Sequence, residues 1–432
     1  MMARQRPQMV LTTLSHHIDI EWLREAYRRT RKDGAVGVDG QTASEYAAKL
    51  EENLQSLLER FKSGSYRAPA VRRVYIPKGD GSKSRPIGIP SFEDKVLQRA
   101  VVMLLEAVYE QDFLDCSYGF RPGRSAHAAL GALERKLTAM NGGWVLELDI
   151  QSYYDTVVKQ HLRDMLEQRV RDGVVRRAID KWLKAGVMEE GCVKHPETGV
   201  PQGGVVSPIL SNVYLHYVLD KWFEQEVKPR LKGRASMIRY ADDAVLLFSE
   251  EADARRVMEV LPKRFGKYGL SLNAEKTQLL DFRRTARREG AARPRGEAGA
   301  RSFEFLGFVH YWGKTRRGLR SIKSKTSPSR LGRSLKRVAH LCRRIRHLKL
   351  KQQQEQLASR VTGHYAYFGI SGNSDALGRF YHEVRRTWYK WLSRRSNNGT
   401  MSWDRFLRIE RRYALPKPKI VHKIYWQSAA RP

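Results

Sequence analysis

Apolar residues recur every three or four positions over long parts of the chain, which is the spacing that places them on one face of an α-helix. The pattern predicts helices over residues 19–32, 50–61 and 92–110. A helical and strongly basic region begins near residue 329 and runs towards the C-terminus. Within that region, one apolar helix face is formed by Leu377, Phe380, Val384, Trp388 and Trp391.

Short apolar and β-branched segments bounded by Gly and Pro predict strands between these helices. Strands are expected over 71–77 and 85–90, on either side of a Gly-Asp-Gly turn, and over 303–312. Residues 144–150 predict an apolar strand, and residues 236–248 predict two strands joined by a tight turn. Helices and strands mixed in this order indicate an α+β fold rather than a doubly wound parallel sheet.

Charge narrows the class of protein. Lysine and arginine number 80 and aspartate and glutamate 46, so the formal net charge is +34. Such an excess attracts polyanions, because each phosphate that is contacted releases condensed counterions. Three cysteines without a CxxC pair exclude a disulfide framework and a cysteine-rich zinc site. With no signal peptide and no apolar run long enough for a membrane span, we expect a cytoplasmic protein with no membrane partner.

Three aspartates stand where predicted strands end. Asp149 lies at the end of the strand 144–150, and Asp242 and Asp243 lie at the tip of the hairpin 236–248. Phosphoryl transfer to a nucleotide uses two divalent cations, and Mg²⁺ prefers hard oxygen ligands such as carboxylates. An Asp pair is also good turn chemistry in its own right. An apolar strand follows this pair, which favours a turn anchored in a core and therefore a metal site.

Two motifs contain these aspartates, and a third lies between them in the sequence. In chain order they are Glu147-Leu148-Asp149-Ile150, Pro201-Gln202-Gly203-Gly204 and Tyr240-Ala241-Asp242-Asp243. With them the sequence resembles a reverse transcriptase of the group II intron-encoded kind, which is reverse transcriptase and maturase in one chain. The resemblance extends from about Gly37 to His422. It implies a right-hand polymerase, with fingers and a palm that contains an antiparallel sheet, followed by an α-helical thumb or maturase domain.

The resemblance also assigns roles to residues. It implies that Asp149, Asp242 and Asp243 are the catalytic carboxylates. Asp149, Asp242 and the backbone carbonyl of Ile150 would bind two Mg²⁺ ions, for which Mn²⁺ could substitute. The implied nucleotide-binding residues are Lys78, Arg85, Tyr154, Gln202 and Lys276.

In this family, the residues that correspond to Lys78 and Arg85 face each other across a fingers hairpin. Arg85 would bind triphosphate oxygens through two parallel N–H groups, and Lys78 would attract the triphosphate with a single positive charge. The ring of Tyr154 would lie under the sugar and exclude a 2′-hydroxyl, although a purely structural core aromatic is the alternative. Gln202 would contact the nucleotide on its base-pair side, and Lys276 would lie near the site.

Two further groups of residues are expected to contact nucleic acid. Phe305, Leu306 and Gly307 resemble the primer grip of the family. The segment 117–125 resembles its template-side motif, and the helical C-terminal region resembles its thumb. The arginines of these two parts that are expected to bind RNA are Arg121, Arg124, Arg379, Arg385 and Arg386. For the primer grip, the template-side motif and the segment 272–277 that contains Lys276, structural packing is the alternative to direct contact.

The expected domains are an N-terminal helical extension (1–65), fingers and palm (66–320), a thumb or maturase domain (321–412) and a short basic DNA- or RNA-binding segment (413–432). The DNA endonuclease domain with paired cysteines that many relatives carry is expected to be absent. The implied function is to bind the group II intron RNA in a bacterial ribonucleoprotein and to assist its splicing. The protein would also copy the intron by target-primed reverse transcription, from a DNA primer with deoxynucleoside triphosphates. A splicing-only maturase and a reverse transcriptase recruited to defence or DNA repair are the alternatives, and a homodimer is left open.

Overall fold

The computed structural model describes residues 9–78, 83–189, 192–194, 198–199, 202–283, 302–315, 318–395 and 401–424, without the side chains of Lys78 and Lys83. The chain divides into two compact units. The first comprises the described residues within 1–126 and 144–279, and the second comprises those within 127–143 and 280–432. The four segments expected from the sequence remain a prediction.

The helices follow the predicted apolar periodicity, and several begin at a side-chain cap. Asp19 accepts a hydrogen bond from the backbone N–H of Trp22, and Thr42 and Glu45 form a reciprocal capping box. None of the described helices is long and apolar enough to cross a membrane. In chain order the helices are α1 (Ile20–Arg29), α2 (Ala43–Ala48), α3 (Leu50–Ser63), α4 (Phe92–Tyr109), α5 (Ala126–Ala139), α6 (Tyr153–Thr156), α7 (Lys159–Glu167), α8 (Gly173–Lys184), α9 (Ser207–Leu215), α10 (Glu251–Gly266), α11 (Pro328–Ile345), α12 (Leu350–Phe368), α13 (Ser374–Ser393) and α14 (Trp403–Arg412).

In the described part of the chain the strands form three sheets, and the mixture of helix and sheet confirms the expected α+β class. In chain order they are β1 (Val71–Lys78), β2 (Lys83–Ile89), β3 (Trp144–Leu148), β4 (Val187–Glu189), β5 (Cys192–Lys194), β6 (Ala235–Tyr240), β7 (Asp243–Phe248), β8 (Gln278–Asp281), β9 (Ser302–Phe305), β10 (Phe308–Lys314) and β11 (Arg320–Thr326). The first sheet has the order β2-β1-β4-β5, and its antiparallel pair β1 and β2 places Ile76 opposite Arg85.

The sheet that positions the site has the strand order β6-β7-β3-β8. Its central strands β3 and β7 are antiparallel, with Trp144 opposite Phe248 and Leu148 opposite Ala244. Most residues of both strands are buried, because α10 packs against β3 and β7. Strands buried in this way read as continuous apolar runs, which is why the sequence predicted them correctly.

The second unit contains the sheet β11-β10-β9 and the helices α11, α12 and α13. The strand predicted over 303–312 is wrong as one element, because Leu306 and Gly307 take left-handed conformations with φ of 51° and 79° and separate β9 from β10. On α13, Leu377, Phe380, Val384 and Trp388 are buried as the spacing predicts, whereas Trp391 is only half-buried. The imidazoles of His127 on α5 and His422 stack with their centroids 3.5 Å apart.

Candidate active site

The sheet register brings the three aspartates to one end of β3 and β7. Leu148 pairs with Ala244, so the residue after Leu148 and the residue before Ala244 lie side by side in this antiparallel pair. These residues are Asp149 and Asp243, and Asp242 precedes Asp243 in the turn between β6 and β7. The fold therefore joins carboxylates that are far apart in the sequence.

The carboxylates of Asp149 and Asp242 also interact electrostatically. Burial raises the pKa of Asp242, Arg85 lowers it, and the neighbouring Asp149 carboxylate raises it again. Two carboxylates that repel each other in a half-buried site are an arrangement that a divalent cation relieves. Across the described residues, no three His, Cys, Asp or Glu side chains gather as a metal-binding group. Metal binding here would therefore need oxygen ligands beyond these side chains, such as backbone carbonyls and substrate phosphates.

The segment that follows β3 is fixed on both sides of Ile150. The carbonyl of Asp149 accepts a hydrogen bond from the N–H of Asn273 at 2.8 Å, and the N–H of Gln151 donates to Ser271 at 2.9 Å. In the same loop as Asn273, the ammonium of Lys276 lies 3.1 Å from Oδ2 of Asp149. The structure thus places Lys276 directly on one of the predicted metal ligands.

The turn that carries Asp242 has an unusual backbone. Ala241 takes a left-handed φ of 58°, which non-glycine residues adopt only where their surroundings fix it. A Cβ on Gly119 would lie 2.3 Å from the backbone nitrogen of Ala241, so only glycine fits against this turn. The segment 117–125 therefore packs directly against the turn that carries Asp242.

A buried arginine supports the same turn from inside the unit. Arg239 has no solvent exposure, and it donates to the carbonyl of Ala241 at 2.9 Å and to Oγ of Ser117 at 2.8 Å. It also donates to Oδ1 of Asn212 at 3.1 Å, and its charge is balanced by Asp220. This group was not predicted from the sequence, although an arginine inside an otherwise apolar strand was a usable signal.

The predicted nucleotide-binding residues Tyr154 and Gln202 line one cavity of about 230 Å³ in the first unit. Burial raises the pKa of the Tyr154 hydroxyl, and the Asp242 carboxylate raises it further. The carbonyl of Gln202 accepts a hydrogen bond from Gly88 at 2.6 Å, which holds the Gln202 loop against β2. Arg85 is exposed on β2 and close enough to act on both Tyr154 and Asp242. The side chain of Lys78 lies outside the described part of the chain.

The structure gives Arg121 an internal role instead of the RNA-facing one expected. Its side chain is 4% exposed and pairs with Glu110. The remaining donors of the guanidinium are bound by the carbonyls of Leu114, Ser117 and Phe113. With every donor occupied inside the protein, Arg121 shapes the loop around Gly119 rather than presenting a cation to solvent.

The other predicted RNA-binding arginines differ in their surroundings. Arg385 is mostly buried and pairs with Glu410, with Nη2 2.6 Å from Oε2. Arg124 is partly exposed and pairs with Asp115 at 2.6 Å. Arg379 and Arg386 are exposed on α13, so they are the two whose side chains face solvent most freely.

The predicted primer grip lies at the turn between β9 and β10 in the second unit. Phe305 is buried, and the hydroxyl of Tyr367 donates to the carbonyl of Leu306 at 2.8 Å. The carbonyl of Gly307 accepts from the N–H of Ser327 at 3.0 Å. The turn is therefore rigidly held, with its backbone bonded to two different elements of that unit.

Comparison with known proteins agrees with this geometry. The chain matches the family described as reverse transcriptase (RNA-dependent DNA polymerase) over residues 76–310, more than half of its length. Protein YkfC of Escherichia coli (strain K12) is 36% identical over 300 residues, which cover 60% of this chain and 76% of YkfC. Group II intron-encoded protein LtrA of Lactococcus lactis subsp. cremoris is 33% identical over 247 residues, which cover 55% of this chain and only 41% of LtrA.

A more distant relative is nuclear intron maturase 4, mitochondrial, of Arabidopsis thaliana. It is 27% identical over 196 residues, which cover 45% of this chain and 23% of the relative. The matched family region contains the three aspartates, Tyr154, Gln202 and the predicted primer-grip turn. This chain belongs to the reverse transcriptases, and its relatives include group II intron-encoded proteins and intron maturases.

Proposed function

We propose that this reverse transcriptase binds a group II intron RNA, assists its splicing and copies it into DNA by target-primed reverse transcription. The observation that carries the proposal is the meeting of Asp149, Asp242 and Asp243 at one end of the sheet, beside the cavity of Tyr154 and Gln202. A protein that only bound RNA would not need this complete set of polymerase side chains.

In the proposed reaction, Asp149, Asp242 and the carbonyl of Ile150 would hold two divalent cations, Mg²⁺ or in its place Mn²⁺. Such ions activate the primer hydroxyl and neutralise charge on the transferred phosphate. Asp243 completes the acidic pair at the strand end. Lys276 pairs with Asp149 at 3.1 Å and would balance its charge before metal binds.

Tyr154 would select deoxyribose because its ring has little freedom to move away from a bulkier sugar. The ring packs edge-on against Tyr153, with centroids 5.3 Å apart. The hydroxyl of Tyr153 in turn donates to the carbonyl of Ser211 at 3.0 Å. A ring fixed in this way would clash with a 2′-hydroxyl but leave room for a deoxynucleotide.

The triphosphate would be held by Arg85 on β2 and by Lys78 on β1, across the fingers hairpin. Arg85 is exposed and lowers the pKa of Asp242, so its cationic group faces the catalytic end of the sheet. Gln202 would contact the base-pair side. The turn at Phe305, Leu306 and Gly307 would hold the DNA primer.

Intron RNA is the proposed partner of the basic surface, with Arg124, Arg379 and Arg386 as contacts. The net charge of +34 supplies the long-range attraction to phosphate. The name of the relative LtrA supports the intron assignment, and that of the Arabidopsis relative supports a splicing role. A homodimer remains compatible with this proposal.

Primer extension on an RNA template with deoxynucleotides tests the polymerase, and splicing of the candidate intron RNA tests the maturase. We expect the wild type to do both, whereas Asp242→Ala loses extension and keeps splicing. Glu250→Ala, a change at a carboxylate outside the site, is the matched control and should do both. Extension that survives Asp242→Ala would overturn the assigned site. Splicing without any extension by the wild type would establish the splicing-only alternative.

A further inference from the structure

A cleft of about 730 Å³ opens in the second unit between α11 and α12. Arg337 and Arg344 line it from α11, where a spacing of two helical turns places them on one face. Arg360 lines it from α12 on the opposite side. The volume is typical of sites for small organic groups, which occupy roughly 300–1,000 Å³.

The three arginines of the cleft are exposed and uncommitted. Within the described part of the chain, Arg337, Arg344 and Arg360 form no ion pair and donate no hydrogen bond to another residue. This differs from Arg385 in the same unit, which is held by Glu410. Free guanidiniums that converge on a cleft are suited to a phosphate, which they can bind through paired N–H groups.

The floor of the cleft is aromatic. His364 is 8% exposed, and its imidazole stacks on Phe380 with centroids 3.6 Å apart and planes 13° from parallel. Phe368 lies against the same imidazole, with centroids 4.6 Å apart. Burial lowers the pKa of His364 to about 4, so the ring is neutral at physiological pH. The floor therefore suits a flat, uncharged ring system.

A polar atom in this floor has no partner. Nε2 of His364 is buried and makes no hydrogen bond, although buried polar groups in proteins are usually paired. Leaving such a group unpaired costs free energy unless a ligand or a solvent molecule supplies the missing bond. A carboxylate, Glu355, also lines the cleft and could accept hydrogen bonds from the edge of a base.

Gly363 leaves open space on one side of the cleft, because it has no side chain. It stands inside α12, where glycine disfavours the helix, and a Cβ added there would meet nothing within 4 Å. Packing inside the protein therefore does not require glycine at this position. The open space beside the arginines is explained if a ligand enters the cleft at this point.

We infer that this cleft receives one unstacked nucleotide of a bound RNA strand. Its phosphate would lie at Arg337, Arg344 and Arg360, and its base would lie against the floor formed by His364. Proteins recognise RNA mainly through unpaired bases that leave the strand and stack on aromatic side chains. The inference rests on the proposed binding of RNA, and it adds a site on α11 and α12 that is separate from the arginines of α13.

The test fills the cleft without disturbing the fold. Gly363→Leu adds a side chain into open space at the cleft, and Gly378→Leu adds the same side chain into open space on α13. Because both changes replace a helical glycine, both variants should unfold at or above the wild-type temperature. Binding is measured with a labelled single-stranded RNA and with a fully paired RNA duplex of the same length, using the full chain.

We expect the wild type and Gly378→Leu to bind the single strand more tightly than the duplex. Gly363→Leu should lose about tenfold in affinity for the single strand, as expected for one stacked base, and keep its affinity for the duplex. Its primer extension on an unrelated template should match the wild type. Unchanged single-strand binding by Gly363→Leu overturns the inference, as does equal loss in Gly378→Leu.

A second variant tests the phosphate contact. Arg360→Gln should weaken single-strand binding and reduce the slope of log K against log salt by a little less than one, because one phosphate contact is lost. The same slope as the wild type would overturn the arginine assignment. If the wild type binds neither RNA, the proposed RNA-binding function itself fails and this inference fails with it. If instead the wild type binds RNA and extends a primer, but Gly363→Leu binds the single strand as tightly as the wild type, only the inference about the cleft fails.

Discussion

Arg239 and Asp220 form a two-bonded ion pair that is completely closed to solvent. Nε of Arg239 lies 2.7 Å from Oδ1 of Asp220, and Nη2 lies 2.5 Å from Oδ2. Both side chains are 0% exposed. Since Arg239 also bonds the carbonyl of Ala241, this pair connects the π-helical stretch His216–Asp220 to the turn that carries Asp242.

Asp220→Asn should destabilise the protein strongly, because it leaves the guanidinium of Arg239 buried without a counter-charge. Breaking one side of a buried pair costs about 3–5 kcal/mol in free energy of unfolding. Asp180→Asn is the control, since Asp180 pairs with Arg163 at 2.6 Å but is 35% exposed. That change should cost about 1 kcal/mol or less. Chemical denaturation compares them, and similar losses in the two variants would contradict the argument.

Gly119→Ala should lower polymerase activity by acting on the catalytic turn. The added Cβ would lie 2.3 Å from the nitrogen of Ala241, so the turn must shift away from its position beside Asp149. A misplacement of about 1 Å can cost roughly a hundredfold in rate. Gly266→Ala, whose Cβ would meet nothing within 4 Å, should leave the extension rate unchanged. Single-turnover extension measures both, and full activity in Gly119→Ala would refute the close fit.

Tyr154→Ala should allow ribonucleotides to be incorporated by removing the ring that would contact the sugar. Discrimination built on the shape of a pocket is worth about 10–200-fold, so the preference for deoxynucleotides should fall by that order. Tyr153→Phe keeps the neighbouring ring and removes only its hydrogen bond to Ser211, so it should keep the preference. Competitive incorporation of paired nucleotides gives the ratio. An unchanged ratio in Tyr154→Ala would exclude the sugar-selecting role.

Asp94 should make the stability of the first unit depend on pH. The carboxyl is buried, accepts from Nε1 of Trp182 at 2.6 Å and from Nε2 of Gln98 at 3.0 Å, and burial raises its pKa to about 6. The folded state thus binds this proton more tightly than the unfolded chain, where the pKa is near the ordinary value of 3.8. The stabilising contribution is complete below about pH 4 and is lost as the pH rises through about 6.

Asp94→Asn removes this titration, so the difference in unfolding free energy between wild type and variant should change by roughly 3 kcal/mol across that window. The wild type should lose stability relative to the variant as the pH rises. Denaturation of both proteins between pH 4 and pH 7 measures it. Parallel profiles would show that Asp94 does not titrate as its burial requires.

The sequence predicted what depends on local pattern. The apolar runs of β3 and β7 and the turn at Asp242 were correctly placed, and the mixed order of elements indicated the α+β class. The reverse transcriptase resemblance then supplied the fold that brings Asp149 next to the pair. The roles of individual site residues remain predictions, because proximity alone does not establish what a side chain binds.

What the sequence could not predict depends on contacts that form only when the chain folds. Nothing near Arg121 indicated that Glu110 and three carbonyls would bind all of its guanidinium donors. The turn at Leu306 divides a segment that is rich in aromatic residues. Its left-handed backbone is held by a hydrogen bond from Tyr367 on α12. The buried charge of Arg239 is balanced by Asp220, nineteen residues earlier. Each of these features is a tertiary contact rather than a local preference.

The order of the units along the chain also constrains how the protein is made. Residues 127–143, which include nearly all of α5, belong to the second unit but are synthesised between the two parts of the first. During translation α5 must therefore wait for partners such as His422, which emerge almost three hundred residues after His127. The first unit can close around its sheet once β8 has been synthesised, whereas the second cannot be complete until nearly the whole described chain has left the ribosome.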